Sequence, residues 1–569
     1  MPRGRDLHTL ADLCLQNIAE NMQSLWLKDY TEKYMEEYNF MYIEGPFNQL
    51  SGAIVQELLR ILGESHKLNK AGLHLLLQPH LTELSLRPCA GLVNNAITHL
   101  VARRCKILTS LDLGSCTRVP AASLAQLIEG LPRLTKLCLA DTQSDSQVLL
   151  AVGARCPRLR ELDISGCRKL SAASLPHLVF SPKQGTFQCQ GLRVLLMRGM
   201  KQENVPQQWV DALCFLLLAL PSLEQVCNPA LSQVLKLLRA NPCPEPKSTL
   251  PGFPSLAQLA STRGLTDKGS RGHPDGTLCP GAPGRDWAGA PGRDWAGTEG
   301  RDRAGPLLQL NKLDDIEEED LEIVASLCPR VRDVAIALGS QGGPTLVPWH
   351  HVTQLTLHCP GQAERSLEEL IGSLEGVGKE LLFLSIQNVR WGEGQSLDAL
   401  LRLCPKLRSF QCHLAPCARP VYNLEPGAEL PPWGHNPIPL PHLHSFSLLL
   451  EGGDPVPPGF QHTLGGTLVS LFSGSPKLEN LSLWGVPVLL DLVFETVLSL
   501  VPPAPLRSLR GVSLCRSQVT QWGATLLLRS DNRLASLDLS DCRHVTCRDF
   551  HKLQDWARKE KLQVAISWR

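Results

Sequence analysis

Cysteine and histidine are the residues of this chain best suited to metal binding, nucleophilic chemistry or disulfide formation. The sequence contains 20 Cys and 17 His. No Cys-x-x-Cys pair is present, and no Cys/His cluster has the spacing of a zinc site or a RING domain. His350 with His351, and His442 with His444, are adjacent or two residues apart, but a metal site needs further ligands. We therefore expect packed or solvated histidines, with no metal and no cofactor.

Other catalytic motifs are missing from the sequence as well. We find no P-loop, no Gly-x-Gly-x-x-Gly after a strand, no Gly-x-Ser-x-Gly and no His-Glu-x-x-His. With 56 Lys and Arg against 55 Asp and Glu, the net charge gives no electrostatic reason to bind nucleic acid or an anionic membrane. No stretch approaches the roughly 18–20 apolar residues of a membrane span, and the start lacks a signal segment. We expect a non-enzymatic protein of the cytoplasm or nucleus, with reduced thiols and no nucleic-acid or membrane partner.

A six-residue motif, Leu-x-x-Leu-x-Leu, returns along the chain with a nearly constant period. Its first four copies begin at Leu81, Leu108, Leu134 and Leu159, so that they are about 27, 26 and 25 residues apart. A period of roughly 20–29 residues is typical of leucine-rich repeats. Further copies, with other apolar residues at some positions, begin at Leu192, Leu223, Val331, Val352, Leu381, Leu407, Leu443, Leu478, Leu509 and Leu534.

Each copy of the motif predicts one short strand followed by one helix. The last two apolar residues of the motif alternate as in a strand, so both side chains point to one face. After the second copy, Leu124, Leu127, Ile128 and Leu131 recur at helical spacing. A single unit cannot bury its apolar face alone, whereas stacked units bury it jointly. The sequence therefore predicts an α/β fold, a leucine-rich-repeat solenoid (horseshoe).

The positions marked x in each motif are expected to be exposed on the concave strand face, which is the face where such arrays bind partners. In the second and fourth copies these positions are Thr109, Ser110, Asp112, Arg160, Glu161 and Asp163. They share neither one charge nor an aromatic character. The residues that would bind a protein substrate therefore stay unassigned.

The composition changes sharply between Asn241 and Pro306, where Pro, Gly, Arg and Asp predominate. This range includes a near-tandem duplication in which Trp287 and Trp295 occupy equivalent places. Such a segment buries too little apolar surface to offset its ordering entropy, so we predict a disordered loop. The acidic run at 314–320 is predicted to open a helix, because carboxylates favour the positive end of the helix dipole.

Residues 1–75 do not follow the repeat and predict a separate helical module. Thr9 to Trp26 has the spacing of an amphipathic helix, and residues 50–62 predict another. In the first helix, Leu10, Cys14 and Ile18 lie four residues apart and so share one face. A small thiol in the middle suits a helix that docks closely into a groove.

The residues Thr9, Leu10, Cys14 and Ile18 resemble a BC box, the elongin-binding helix of cullin-RING substrate receptors. The order of the parts is similar to that of the Zyg-type receptors, which join a BC box to leucine-rich repeats. The segments LTSLDLGSCTRV, LRELDISGCRKL and LASLDLSDCRHV resemble the cysteine-containing repeats of F-box and related ubiquitin-ligase receptors. The resemblance to a BC box implies an elongin BC adaptor as partner.

The second helix carries Leu50, Ile54 and Leu58, which resemble the cullin box that follows a BC box. Ser51 stands where that family has Pro, a departure that concerns the cullin assignment and not the elongin one. The same segment resembles the opening helix of an F-box, again without its Pro. A further alternative is that both helices only cap the exposed edge of the first repeat.

The sequence predicts four parts: the helical module at 1–75, repeats at 76–240, the insertion at 241–306, and repeats with a closing strand at 307–569. The resemblance implies a non-catalytic substrate-recognition subunit of a cullin-RING ubiquitin ligase. Elongin BC and a cullin would bind the module, and a protein substrate would bind the repeats. The alternative is a general protein-interaction scaffold whose first helices are only a cap.

Overall fold

The computed structural model describes residues 10–28, 47–200, 206–240, 252–256, 258–259, 308–339, 348–361, 365–391, 396–415, 433, 436–451, 458–499 and 505–568. Thr9 and the two tryptophans of the duplication, Trp287 and Trp295, lie outside the described residues. The predictions made for those three residues stay predictions.

One long parallel sheet runs through the described part of the chain, and its strands pair in the order in which they occur in the sequence. Its strands are β1 (Glu83–Ser85), β2 (Ser110–Asp112), β3 (Lys136–Cys138), β4 (Glu161–Asp163), β7 (Val194–Leu196), β8 (Gln225–Cys227), β9 (Lys312–Glu317), β10 (Asp333–Ala337), β11 (Gln354–His358), β12 (Phe383–Arg390), β13 (Ser409–Ala415), β14 (Ser445–Leu450), β15 (Asn480–Trp484), β16 (Gly511–Ser513), β17 (Ser536–Asp538) and β18 (Ala565–Ser567). A separate antiparallel pair consists of β5 (Phe180–Ser181) and β6 (Thr186–Phe187).

Helices connect most of these strands. They are α1 (Leu10–Asn21), α2 (Gly52–Glu64), α3 (Lys70–Leu76), α4 (Asn95–Arg104), α5 (Ala121–Glu129), α6 (Ser146–Arg155), α7 (Pro176–Val179), α8 (Pro206–Ala219), α9 (Leu231–Ala240), α10 (Leu321–Leu327), α11 (Leu367–Leu374), α12 (Ser396–Leu403), α13 (Pro458–Gly474), α14 (Leu490–Ser499), α15 (Gln521–Arg529) and α16 (Cys547–Lys559). Helices of neighbouring units pack side by side, as α5 and α6 do. This mixed α/β arrangement is compatible with the predicted solenoid.

The apolar residues of the motif line the interior, as the alternation predicts. Leu108, Leu111 and Leu113 are at most 1% exposed, and the same positions are buried in the later copies. Buried cysteines end several helices, among them Cys105 and Cys156. Burial raises the pKa of both thiols to about 12, so these residues act as small apolar side chains of the core.

The sheet continues across the predicted insertion. In β8, Gln225 pairs with Lys312 of β9, so the array resumes at β9 and not at Val331. The motif search missed this unit because it contains an extra residue. Asp315 has a φ of +59°, and the pairing of β9 with β10 shifts register beside it, as at a β-bulge.

The prediction that the acidic run at 314–320 opens a helix is only partly correct. Its first residues belong to β9, and only Glu318–Asp320 form a 3₁₀ turn ahead of α10. Leu313, before the bulge, and Ile316, after it, are both fully buried. Burial of these two side chains in the sheet layer therefore outweighs the local helix preference of the carboxylates.

Part of the range predicted as a disordered insertion packs against the array. Leu256 and Leu259 are buried. The Phe253 ring lies 5.1 Å from the His177 ring and 5.6 Å from the Phe180 ring, between centroids. These apolar side chains of the predicted insertion therefore bury surface on the repeats.

Candidate adaptor-binding site

Helix α2 covers the first edge of the sheet. Its residues Val55, Leu58 and Leu62 are buried. The side-chain amide of Gln56 donates a hydrogen bond of 2.8 Å to the backbone carbonyl of Glu83 in β1. An edge strand otherwise presents unpaired backbone groups to other chains. Helix α2 thus acts as the cap that a repeat array needs.

The predicted cullin-binding residues lie at the start of this helix. Ser51 caps α2, with its hydroxyl accepting a hydrogen bond of 3.4 Å from the Ile54 amide; serine is a favoured residue for that position. Leu50 is half-buried against the core, and Ile54 is 38% exposed. Leu58, by contrast, is fully buried. In this structure Leu58 contacts the chain's own interior and not a free surface.

Helix α1 lies outside this cap and packs against α2. It presents apolar side chains to solvent: Leu10 is 79% exposed and Leu13 is 50% exposed. The Cys14 thiol is exposed beside them. Capping an array requires no such surface, because the cap buries its apolar residues inward.

The three described residues of the predicted adaptor-binding motif do not face the same way. Successive residues four apart in an α-helix are offset by about 40° around the axis. Leu10 and Cys14 are therefore exposed, whereas Ile18 lies at the margin and packs against the core. Sequence reasoning also missed Leu13, which lies on the exposed face.

The opposite side of α1 attaches it to the array. Ala19 and Met22 are buried, and Leu15 packs against the core. A π-helical turn, Met22–Leu27, continues the helix. Such wider turns are rare and often occur at functional sites. This one buries Leu27 and leaves Leu25 62% exposed.

We define the docking face as the exposed side chains of Leu10, Leu13, Cys14 and Leu25. Its chemistry is aliphatic with one thiol. It offers shape and apolar area to a partner, and within the described residues it places no acid, base and nucleophile together for catalysis. An amphipathic helix of this kind is suited to docking in an apolar groove.

The candidate metal residues of the sequence are dispersed. His350 and His351 lie in an exposed turn, and His442 is exposed while His444 is half-buried at a strand start. Within the described ranges, no group of three or more His, Cys, Asp or Glu residues could hold a metal ion. None of the helices described here has the length and apolar character that crossing a membrane requires.

No family model matches the chain. Among solved structures, the chain is similar to one from the Rad7 and Elc1 complex of yeast, with 14% sequence identity and a TM-score of 0.38. That similarity covers 84% of this chain and 94% of the other.

Proposed function

We propose that this protein is a leucine-rich-repeat substrate-recognition subunit of a cullin-RING ubiquitin ligase. Helix α1 would bind the elongin BC adaptor, and the repeat array would bind a protein substrate. The protein itself would perform no chemistry. Its contribution to rate would be proximity, because it would hold a substrate lysine near the charged conjugating enzyme.

The observation that carries this proposal is the docking face of α1. Burying one leucine side chain contributes roughly 1.5–3 kcal/mol, so leaving Leu10, Leu13 and Leu25 in solvent forgoes a large stabilisation. A partner groove that covered them would recover it. The resemblance of this helix to a BC box names the elongin adaptor as that partner.

The alternative, a general scaffold with a bare cap, is favoured by α2 alone. The bond from Gln56 to β1 and the buried leucines of α2 are what a cap requires. They do not account for the exposed apolar side chains of α1, because α1 lies beyond the covered edge. We therefore assign the cap to α2 and the adaptor contact to α1.

We also propose a cullin contact, which would involve fewer residues than the resemblance to a cullin box implies. Ile54 and the outer part of Leu50 lie on the surface of α2, whereas Leu58 is buried. A cullin would therefore meet α2 at its first turn, and Leu58 would support the helix from within.

Co-purification of the full chain with elongin B and elongin C tests the proposal. The test variant combines Leu10→Ala with Cys14→Ala. The matched control combines Leu150→Ala with Cys547→Ala, since these are also an exposed leucine and an exposed cysteine. We expect the test variant to reduce elongin recovery at least tenfold and the control to leave it unchanged.

Two results would contradict the proposal. One is that the wild-type chain recovers no elongin. The other is that the test variant and the control recover it equally. Recovery of a Skp-type adaptor by the wild-type chain would instead favour the F-box alternative for the same module.

A further inference from the structure

The open face of the sheet consists of the strand side chains that alternate with the buried leucines. Two rows cross it: row 3, the third position of each motif, and row 5, the fifth. Because neighbouring strands are parallel and lie about 4.8 Å apart, each row is a line of adjacent side chains. The chemical character of these rows changes along the array.

From β1 to β10, half of the positions in the two rows are charged, and most of these charges already have partners on the protein. The ion pairs are Arg87–Asp112 at 3.2 Å, Lys136–Glu161 at 2.8 Å, Arg198–Asp314 at 2.6 Å and Lys312–Asp333 at 2.7 Å. A ligand would have to break or desolvate these pairs to use the charges. Most charges in this half of the open face are therefore already neutralised by ion pairs within the protein.

From β11 to β16, the same two rows contain no charged residue. Row 3 consists of Gln354, Phe383, Ser409, Ser445, Asn480 and Gly511, and row 5 of Thr356, Ser385, Gln411, Ser447, Ser482 and Ser513. From β13 onward, most of these side chains are small. They form a neutral floor that another polypeptide can approach closely.

An aromatic and aliphatic wall borders this floor where the strands end. Leu449 of β14 pairs in register with Trp484 of β15, and both are partly exposed. The Arg516 guanidinium lies 4.7 Å from the Trp484 ring centroid. A cation over the indole face is attracted to the ring, and Trp and Arg are both residue types enriched in binding hot spots.

When charged residues that pair with each other are set aside, those left around the floor are mainly basic. At the strand starts, Arg510 lies 3.6 Å from Glu479, and Arg408 is exposed. At the strand ends, the Glu451 carboxylate lies 3.0 Å from the His413 ring, which does not cancel its charge unless that ring is protonated. Within the described residues, no ion pair joins Arg408 or Arg516 to a carboxylate. Arg408 and Arg516, one on each side of the floor, are therefore left for a ligand and outnumber the Glu451 carboxylate.

We propose that the open face of β13–β16 binds an acidic segment of a partner protein that also carries a large apolar side chain. The apolar side chain packs on Trp484 and Leu449, and the carboxylates pair with Arg408 and Arg516. The neutral floor lets the segment lie close to the sheet. This inference rests on the proposed function, for which it names the class of substrate segment.

A protein segment fits this surface better than a nucleic acid does. Nucleic-acid binding depends on several cations along the phosphate backbone, and this face supplies two uncompensated arginines. The formal net charge of the chain is +1, which adds no general attraction. Single-stranded DNA therefore serves as a competitor in the test.

The test is selection of a random twelve-residue phage-displayed peptide library on the immobilised full chain. We expect enrichment of peptides with Asp or Glu near an aromatic or large aliphatic residue. The test variants are Arg408→Glu with Arg516→Glu and, separately, Trp484→Ala. The control, Arg133→Glu with Arg168→Glu, reverses two exposed arginines beside β3 and β4.

The selected peptides should lose at least tenfold in affinity for both test variants and should bind the control and wild type alike. Absence of acidic enrichment, unchanged binding to the charge-reversed variant, or displacement of the peptides by single-stranded DNA would overturn the inference. Elongin recovery is measured on the same variants. A wild-type chain that recovers elongin but selects no acidic peptides would overturn this inference alone, whereas a wild-type chain that recovers no elongin would overturn the adaptor proposal.

Discussion

The Arg198 guanidinium lies 2.6 Å from the Asp314 carboxylate, although 116 residues separate them in the sequence. The same carboxylate accepts a hydrogen bond of 2.8 Å from the Cys227 thiol. In the same unit as Asp314, the Asp320 carboxylate accepts a hydrogen bond of 2.6 Å from the Ser232 hydroxyl and lies 2.9 Å from the Lys236 ammonium. These contacts join the units on either side of the insertion into one sheet.

Shortening the insertion should therefore leave the array intact. We expect replacement of residues 264–303 by a short Gly/Ser linker to change the free energy of unfolding by only about 0.6 kcal/mol. The replacement roughly halves the length of the segment that connects the two parts of the array, and halving a loop changes its closure free energy by that amount. Removing residues 252–259 as well should destabilise the protein further, because Leu256 and Leu259 are buried. Denaturant unfolding followed by circular dichroism checks both. A separate early transition for the second half of the array would contradict the prediction.

The junction should also contribute an acid-sensitive part of the stability. Burial alone raises the pKa of Asp314, but hydrogen bonds from Cys227 and Arg198 outweigh it and leave that pKa below its usual value. The stabilisation is thus present above pH 4, near the unfolded pKa, and is lost as the pH falls through the folded value.

Asp314→Asn should cost about 1 kcal/mol at pH 7, since the pair with Arg198 is partly exposed and screened. It should also make the loss of stability below pH 4 shallower. The control is Asp541→Asn, a change at an exposed aspartate. Free energies of unfolding measured from pH 7 to pH 3 test this prediction. Identical pH profiles for the wild type and Asp314→Asn would show that Asp314 makes no acid-sensitive contribution to stability.

The repeated part of the fold was predictable because burial imposes a phase on the sequence. Wherever the motif keeps its spacing, as at Leu108 and Leu534, a strand lies where the sequence places it. The unit at β9 was missed because the bulge at Asp315 adds one residue, and because neighbouring carboxylates indicated a helix start. A local pattern cannot reveal that Asp314 meets Arg198, since that contact depends on the closure of the whole insertion.

The candidate site was predictable only in part, for a geometric reason. The four-residue spacing of Leu10, Cys14 and Ile18 indicates a helix and one broad face. The spacing does not show which residues of that face are exposed and which are buried, because this depends on how α1 packs against α2. The exposure of Leu13 and Leu25 likewise follows from that docking and from the π-helical turn.

Asp491 provides a test of coupling between neighbouring units. Its carboxylate is buried and accepts hydrogen bonds from the Thr520 amide at 3.0 Å, the Thr520 hydroxyl at 2.5 Å and the Gly523 amide at 3.1 Å. It thus caps the start of α15 from the preceding unit. Asp491→Ala should cost about 2–3 kcal/mol, because it leaves buried donors without an acceptor.

Gly523→Ala should destabilise the protein as well, because its new Cβ would collide with the Asp491 carboxylate. Gly372→Ala in α11 is the control, since a Cβ there meets nothing within 4 Å and alanine favours a helix by roughly 1 kcal/mol. Thermal unfolding should move the two variants in opposite directions. A stabilised Gly523→Ala protein would contradict the cap.

His74 should make the first repeat sensitive to mild acid. Burial, together with nearby Arg104 and Lys70, lowers the pKa of this histidine to about 4, so its neutral form is favoured in the folded state. The unfolded histidine binds a proton near pH 6.5. Stability is therefore full above that pH and falls as the pH drops toward 4. His74→Gln should flatten this dependence, whereas the exposed His544→Gln should not; equal slopes in the two variants would count against it.

The contrast between Ile54 and Leu58 separates a partner contact from a structural one on the same helix. Leu58 is fully buried, so Leu58→Ala should destabilise the module by roughly 2–5 kcal/mol. Ile54 is 38% exposed, so Ile54→Ala should leave the unfolding midpoint nearly unchanged. If α2 meets a cullin at its first turn, Ile54→Ala should lower cullin recovery in the presence of elongin BC while elongin recovery stays the same. Unchanged cullin recovery in Ile54→Ala, with wild-type cullin recovery measurable, would assign α2 to capping alone.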